Sequence, residues 1–151
     1  MKKSLDRDPL VIIHDLARLL RTRADSRARS FGMTRAQWMI LVRLENHPGL
    51  SQNELASLIE VEPITVARLV DRLEGRGFVE RRADPSDRRI WRLHLTPAAA
   101  PMLKEIAKVR RELTEMLVAN VAAAELDSAI DCLLQMKTNL AAELRLRAET
   151  V

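Results

Sequence analysis

The feature that most constrains this chain is a change in the spacing of its apolar residues between Ser51 and Thr96. Up to about Arg76 they recur at three- and four-residue steps, as one face of an α-helix requires. From Phe78 they alternate with polar residues, as in a β-strand with one exposed face. The loop at 84–89 is rich in Pro, Ser and Asp, which are turn residues. The stretch is therefore predicted to be a helix-turn-helix followed by a two-stranded hairpin, or wing.

Capping residues mark where the helices begin. Ser51 and Glu54 have the spacing of a capping box, as do Thr34 and Gln37 in a preceding helix. Pro63 suits the first turn of the second helix of the pair, because its missing N–H would have no partner there. That helix is predicted to bury one face and to turn the other towards solvent or a ligand. The buried residues would be Val66, Leu69, Val70 and Leu73, and the outer ones include Ile64, Thr65, Arg68 and Arg72.

Apolar helices lie on both sides of this module. One is predicted from Asp8 to about Ser30, a second starts at Thr96, whose side chain caps it, and a third follows from about Ala124. None of them can bury its apolar stripe alone. We therefore expect a mainly α protein with a small β-hairpin. Its parts would be a winged helix-turn-helix lobe at 34–96 and a helical dimerisation lobe made by 8–30 with 97–147.

Composition alone does not identify a partner. The 151 residues are enough for one domain. Hydrophobic residues make up 47% of the chain but aromatic residues only 3%, a composition that favours helices. Lys and Arg total 25 against 21 Asp and Glu, and the net charge of +4 suits a polyanion partner or an ordinary mixed-charge surface equally well. Arginine supplies 20 of the 25 basic residues, which suits phosphates and base edges, although a GC-rich genome gives the same bias.

Several classes of protein are disfavoured. The single cysteine, Cys132, excludes an internal disulfide and a Cys-rich metal site, and we expect it to be a small core residue in a reducing compartment. No stretch approaches the ~18 apolar residues of a membrane span. The three histidines fall on separate elements, without a Gly-rich phosphate loop or a nucleophile set. We expect a cytoplasmic protein, associated with the nucleoid if it binds DNA, with no catalytic residues, metal or cofactor.

A helix-turn-helix with a basic hairpin matches two grooves of double-stranded DNA. Thr65 and Arg68 lie one turn apart on the outer face of the second helix, and we expect them to contact bases. Arg pairs bidentately with guanine, and Thr bonds a base or touches a thymine methyl. Ser51, Gln52 and Arg72 are the candidates for phosphate contacts. For Arg72 the alternative is an ion pair with a nearby acid on the same helix.

A series of motifs carries a family resemblance: VARLVDRLEGRGFV at 66–79, DPSDRR at 84–89 and LHLTP at 93–97. In this order, and between long helices, they resemble the MarR family of bacterial transcription regulators, most closely its SlyA branch. The resemblance spans nearly the whole chain. It implies a homodimer that binds a pseudo-palindromic operator and is often released by a small aromatic or phenolic anion. It also implies that Asp87 holds an arginine in position while Arg88 or Arg89 enters the minor groove.

The same resemblance bears on an effector site. In the family, the helix that here contains Trp38 lines a crevice, so His14, Arg18 and Trp38 are the candidates for a site that offers a cation and a ring to an aromatic acid. The first helix has no cysteine, so a peroxide-sensing thiol switch is not expected. Alanines at 98–100 stand where many members have glycine, and a helix accepts them readily.

Two other functions remain as alternatives. A winged helix can serve as a protein–protein interaction module, which would bind duplex DNA weakly and without preference for a site. The second alternative is an enzyme that modifies a small molecule, or a sensor of one, although the sequence offers no nucleophile or metal cluster for it. The wing itself has a simpler alternative as a solvated hairpin, because Glu80, Asp84 and Asp87 partly offset its arginines. Trp91 in the wing is expected to belong to the core.

Overall fold

The computed structural model describes residues 5–149, and the side chains of residues 5–143. Within that range the chain forms six α-helices and three short strands. In chain order they are α1 (Pro9–Ser30), α2 (Arg35–Asn46), β1 (Leu50–Ser51), α3 (Gln52–Ile59), α4 (Pro63–Gly75), β2 (Val79–Ala83), β3 (Trp91–Leu95), α5 (Ala100–Leu117) and α6 (Ala123–Glu149). The predicted class, mainly α with a small β element in a winged helix-turn-helix, is confirmed.

Three of the predicted helix starts, at Asp8, Thr34 and Ser51, are capped as their sequences require. Asp8 caps α1 with its side chain. Thr34 and Gln37 form the capping box of α2, and Ser51 and Glu54 form that of α3. In the second box the Ser51 N–H donates to the Glu54 carboxylate at 2.7 Å, and the Glu54 N–H donates to the Ser51 hydroxyl at 3.2 Å. These reciprocal bonds fix where each helix begins.

The wing belongs to a three-stranded antiparallel sheet in the order β1-β3-β2, and not to the two-stranded hairpin that was predicted. β2 and β3 pair along their length, and the pair nearest the loop joins Ala83 to Trp91. The short β1 adds Leu50 opposite Leu93 on the other side of β3. A two-residue strand is too short to show apolar alternation, so only its distant partner reveals it.

The core of this region lies between α2, α3, α4 and β3. Leu93, on the central strand, is fully buried. Trp91 is 50% exposed, so the expectation that it belongs to the core is wrong. It lies in the last pair before the loop, opposite the small Ala83, which gives it little cover. Among the described side chains, the largest fully buried ones are Ile40, Leu41, Leu44, Leu55, Leu73, Leu93, Val66, Val70, Val79 and Val109.

The connection from α4 to α5 turns at Gly77 and differs from expectation at Thr96. Gly77 has a φ of 73°, a left-handed conformation that suits glycine, whereas Gly75 remains within the helix. Thr96 makes no side-chain cap; its hydroxyl donates to the carbonyl of Gly77 instead. A 3₁₀ turn at Pro97–Ala99 follows, and α5 begins at Ala100. Thr96 therefore ties the end of β3 to the turn that follows α4.

The chain divides into two compact units, the first reaching Arg110 and the second beginning at Arg111. In the second unit Cys132 is exposed on α6, so its expected place in the core is wrong for the single chain. The dimerisation lobe made by 8–30 with 97–147 stays a prediction, and the side chains of 144–147 lie outside those described. Each unit leaves a helix with large apolar side chains exposed. They are Leu10, Val11, Ile12, Ile13, Leu16 and Leu19 on α1, and Ile130, Leu133, Leu134, Met136 and Leu140 on α6.

Candidate nucleic-acid interface

α4 presents an exposed polar face that contains three of the predicted contact residues. Thr65, Arg68 and Arg72 are exposed, and their side chains make no hydrogen bond or ion pair within the described part of the chain. Residues three or four apart share a helix face, so the three follow one another along α4. The buried stripe predicted for the opposite face is confirmed. One side of α4 is therefore anchored in the core, while the other offers unpaired donors to a ligand.

The acids nearest to Arg72 on α4 are bound by Arg81 of β2. Arg81 forms ion pairs with Asp71, at 2.5 Å, and with Glu74. Its guanidinium also donates to the side-chain oxygen of Gln52 at 3.0 and 3.2 Å. The alternative considered for Arg72, an ion pair with one of these acids, is therefore not what the structure shows. Arg81 links the sheet to both helices of the helix-turn-helix.

Arg81 was not among the predicted site residues. The sequence does contain a signal for it, because Arg81 shares a face of β2 with the buried Val79. An arginine that points inwards needs an anionic partner, and α4 supplies two. Only 20% of the Arg81 side chain is exposed. Its ion pairs fix the wing against α4 and offset two negative charges close to Arg68 and Arg72.

Ser51 and Gln52 lie at the start of α3, but both side chains already have partners within the chain. Gln52 accepts from Arg81, and the Ser51 hydroxyl accepts from the Glu54 N–H. The pKa of the Glu54 carboxyl is lowered by the Ser51 N–H, the Ser51 hydroxyl and then Arg92. A phosphate contact here stays a prediction that depends on the first-turn backbone of α3 and the dipole of the helix.

Asp84 holds the wing loop together from inside. It is 7% exposed, and it accepts from the Ser86 hydroxyl at 2.6 Å, the Ser86 N–H at 2.7 Å and the Asp87 N–H at 3.1 Å. Arg92 donates to Asp84 at 2.6 Å and to Glu54 at 2.9 Å. The Ser86 hydroxyl and Arg92 hold the pKa of Asp84 well below its usual range. The loop is therefore ordered by its own hydrogen bonds.

The tip of the wing pairs Asp87 with Arg89, as the resemblance implied. Arg89 donates to the Asp87 carboxylate through Nε at 3.1 Å, through a terminal guanidinium nitrogen at 3.0 Å and through its backbone N–H at 3.0 Å. These bonds lower the pKa of Asp87 and raise that of Arg89. The Arg89 side chain is nevertheless 91% exposed. Arg88 is exposed beside it and makes no hydrogen bond or ion pair among the described side chains.

Acid is expected to loosen the wing through Asp84. Because its folded pKa lies below the unfolded value of about 3.9, its contribution to stability is complete above that value and is lost as the pH falls towards the lowered pKa. Amide hydrogen exchange at Ser86 and Asp87 should therefore be steady from about pH 7 to about pH 5 and then accelerate, once corrected for intrinsic rates.

The matched variants are Asp84→Asn and Asp25→Asn. Asp84→Asn should weaken protection of the wing amides at neutral pH and flatten their acid dependence. Asp25 pairs with Arg35 at 3.1 Å, away from the wing, so its variant should keep the wild-type profile at Ser86. Identical acid profiles in wild type and Asp84→Asn would contradict this role of Asp84.

Arg72 also lines an open cleft of about 470 Å³ at the junction of α1 and α2. Arg76, on the same cleft, is engaged: it donates to the carbonyls of Gly32 and Phe31 at 3.1 and 3.4 Å and lies over the Phe78 ring. The arginines that line the cleft without being engaged in this way are Arg72 and, at the exposed end of α1, Arg29. The other lining residues are Gly32, Met33, Thr34 and Gln37.

The three candidates for an effector site lie in different surroundings. His14 is exposed on α1, and Arg18 is exposed there and pairs with Asp15 at 3.4 Å. Trp38 is buried on α2, with its ring centroid 5.8 Å from that of Phe31. Its indole N–H is buried without a hydrogen-bond partner among the described residues. No described hydrogen bond or ion pair joins Trp38 to His14 or Arg18, so the site remains a prediction.

Metal sites and membrane spans are absent from the described part of the chain. No group of three or more His, Cys, Asp or Glu side chains there converges as a metal ion would require. None of the described helices has an apolar stretch long enough to cross a bilayer.

Comparison with known proteins agrees with this geometry. The MarR family model matches residues 33–91, from just before α2 to the first residue of β3. A solved structure of MarR is 30% identical with a TM-score of 0.77, and the match covers 97% of this chain and 99% of that one. The transcriptional regulator SlyA is 29% identical, with a TM-score of 0.78 and coverage of 90% and 96%. A probable transcriptional regulator from Pseudomonas aeruginosa is 28% identical, with a TM-score of 0.71 and coverage of 88% and 99%.

The similarity extends over both chains almost completely, so it covers the flanking helices as well as the winged helix-turn-helix. Members of this family are transcriptional regulators and not enzymes. The chain therefore belongs to the MarR family of DNA-binding transcriptional regulators.

Proposed function

We propose that this protein binds a pseudo-palindromic operator as a homodimer, with α4 of each copy in the major groove of one half-site. Thr65 and Arg68 contact base edges, and Arg72 contacts phosphate. The observation that carries the proposal is the unpaired outer face of α4. Its donors have no partner within the described chain, while the two acids beside them are taken by Arg81. That arrangement leaves net positive charge directed outwards from the helix.

The wing reaches a neighbouring minor groove in this proposal. Arg89 enters the groove, because Asp87 holds its guanidinium in one orientation and less side-chain entropy is lost on binding. Arg88 lies next to it with an unpaired charge and suits the flanking phosphates. The bonds around Asp84 support the loop from within. Ser51 and Gln52, at the start of α3, are the proposed phosphate contacts between the two grooves.

A second copy of this chain is the proposed partner of the exposed apolar faces. α1 and α6 each leave four or more large apolar residues in solvent, which is costly for a monomer. Two copies related by a twofold axis would bury such faces and present two α4 helices to two half-sites about one turn of DNA apart. The symmetry of the operator follows from that of the dimer.

A small aromatic acid is the proposed effector. The buried, unpartnered indole N–H of Trp38 supports this proposal, since such a donor is satisfied by an acceptor on a ligand or by water. His14 and Arg18 are the proposed partners of the carboxylate. Binding would release DNA by favouring a spacing of the two α4 helices that does not match the half-sites.

Accordingly, adding benzoate should lower the affinity of the wild type for the operator. The same addition should lower the affinity of the Trp38→Phe variant by a smaller factor.

Selection from random-sequence duplexes with the purified full chain tests the proposal. We expect enrichment of one inverted repeat whose half-sites are centred about 10 base pairs apart or a multiple of that spacing. Enrichment of a single, non-repeated site would contradict the dimeric arrangement. Recovery of duplexes with no shared sequence would contradict specific binding and favour a winged helix used for protein–protein contact.

A further inference from the structure

Ile64 is a large apolar side chain on the exposed face of α4. It is 64% exposed, whereas Val66, Leu69, Val70 and Leu73 on the same helix are buried. The fold of α4 gives no reason for an isoleucine here, because it lies outside the core and a β-branched residue is a weaker helix former than Arg, Lys, Gln or Glu. A single exposed apolar residue is common on protein surfaces. A role for Ile64 must therefore be inferred from the residues that lie next to it.

The neighbours of Ile64 are the residues proposed to enter the major groove. Ile64 precedes Thr65 and lies one turn before Arg68, so all three occupy the leading end of the outer face of α4. Glu62, the N-cap, makes no side-chain capping bond, and Pro63 follows it. The exposed apolar branch therefore stands at the start of the helix, beside the unpaired donors of Thr65 and Arg68.

We infer that Ile64 reads the C5 methyl group of a thymine in the major groove, next to the base pair contacted by Arg68. The inference rests on the proposed function, since it requires α4 to lie in that groove. Thymine presents a methyl group there, whereas cytosine presents an amino group. Contact with Ile64 removes two apolar groups from water at a thymine and leaves an amino group without an acceptor at a cytosine. Ile64 thus adds selection for T·A over C·G without a hydrogen bond.

Replacing thymines by uracil in the selected operator tests this contact, because uracil lacks only the methyl group. Each thymine is replaced in both half-sites, and affinity is measured by titration. We expect one position at which uracil weakens wild-type binding by about fourfold or more. The Ile64→Ala variant should bind the thymine operator more weakly by a similar factor. Its affinity should not fall further when that thymine becomes uracil.

Leu58→Ala is the control, since Leu58 is a 40% exposed leucine on α3 and not on α4. Leu58→Ala should lose as much affinity as the wild type when that thymine is replaced by uracil. Thermal unfolding should show that Ile64→Ala is as stable as the wild type. The inference alone would be overturned if uracil lowered the affinity of the wild type and of Ile64→Ala equally at every thymine. It would also be overturned if uracil lowered the affinity of neither protein. A selection that enriches no site would overturn the proposed function and the inference with it.

Discussion

Replacing Arg68 with alanine is expected to weaken binding to the selected operator by about 30-fold or more and to erase the base preference at one position of each half-site. Arg68 is the unpaired guanidinium in the middle of the exposed face of α4. A bidentate arginine–guanine contact contributes about 1–3 kcal/mol of discrimination, and a homodimer makes it twice. Titrations of the selected duplex and of duplexes with each alternative base pair at that position would measure both effects.

Arg72→Ala is the matched control for Arg68→Ala, because it removes the same type of side chain one turn further along α4. If Arg72 binds phosphate, its removal should lower affinity by a similar factor for every duplex. The slope of log K against log salt should also become shallower by about one for each phosphate that is no longer neutralised. If Arg68→Ala instead weakened specific and unrelated duplexes equally, Arg68 would bind phosphate and the base assignment on α4 would be wrong.

Replacing Leu93 with alanine is expected to lower the free energy of unfolding by about 2–5 kcal/mol, a large part of the ~5–15 kcal/mol that holds a typical domain folded. Leu93 is fully buried on the central strand, and β1 and β2 pair on either side of it. Truncation leaves a cavity beneath the sheet that the neighbouring strands and α2 cannot fill without losing their register. Urea titration at one fixed protein concentration would measure the decrease, because a dimer's stability depends on concentration.

Leu58→Ala makes the same chemical change at a leucine that is 40% exposed. It should cost less than about 1 kcal/mol. Similar decreases in unfolding free energy for Leu58→Ala and Leu93→Ala would show that β3 is not the centre of the core.

What the sequence predicted well depends on contacts between residues close in the chain. The capping boxes of Thr34 and Ser51 join residues three apart, and the buried stripe of α4 repeats at helical spacing, so both follow from local pattern alone. The pairing of Asp87 with Arg89 is also local; the family resemblance implied that Asp87 holds an arginine, and the structure identifies that arginine as Arg89. These elements position most of the candidate interface.

What the sequence did not predict depends on residues far apart in the chain. β1 is recognised as a strand only because Leu50 pairs with Leu93, which lies far along the chain. The role of Arg81 depends on Gln52, 29 residues earlier, and on two acids of α4. Trp91 and Cys132 were expected in the core because of their residue types. Trp91 lies at the end of a short strand pair, and Cys132 lies on a helix face that nothing in the described part of the chain covers, so both are exposed.

The most direct test of the central claim is the ratio of affinities for the selected operator and for a scrambled duplex of the same length and composition, measured at physiological salt. The proposal that α4 and the wing read a specific site predicts a preference of about 10³-fold or more. It also predicts that Arg68→Ala and Arg89→Ala each reduce this affinity for the operator. Equal affinity for the two duplexes would contradict the proposal.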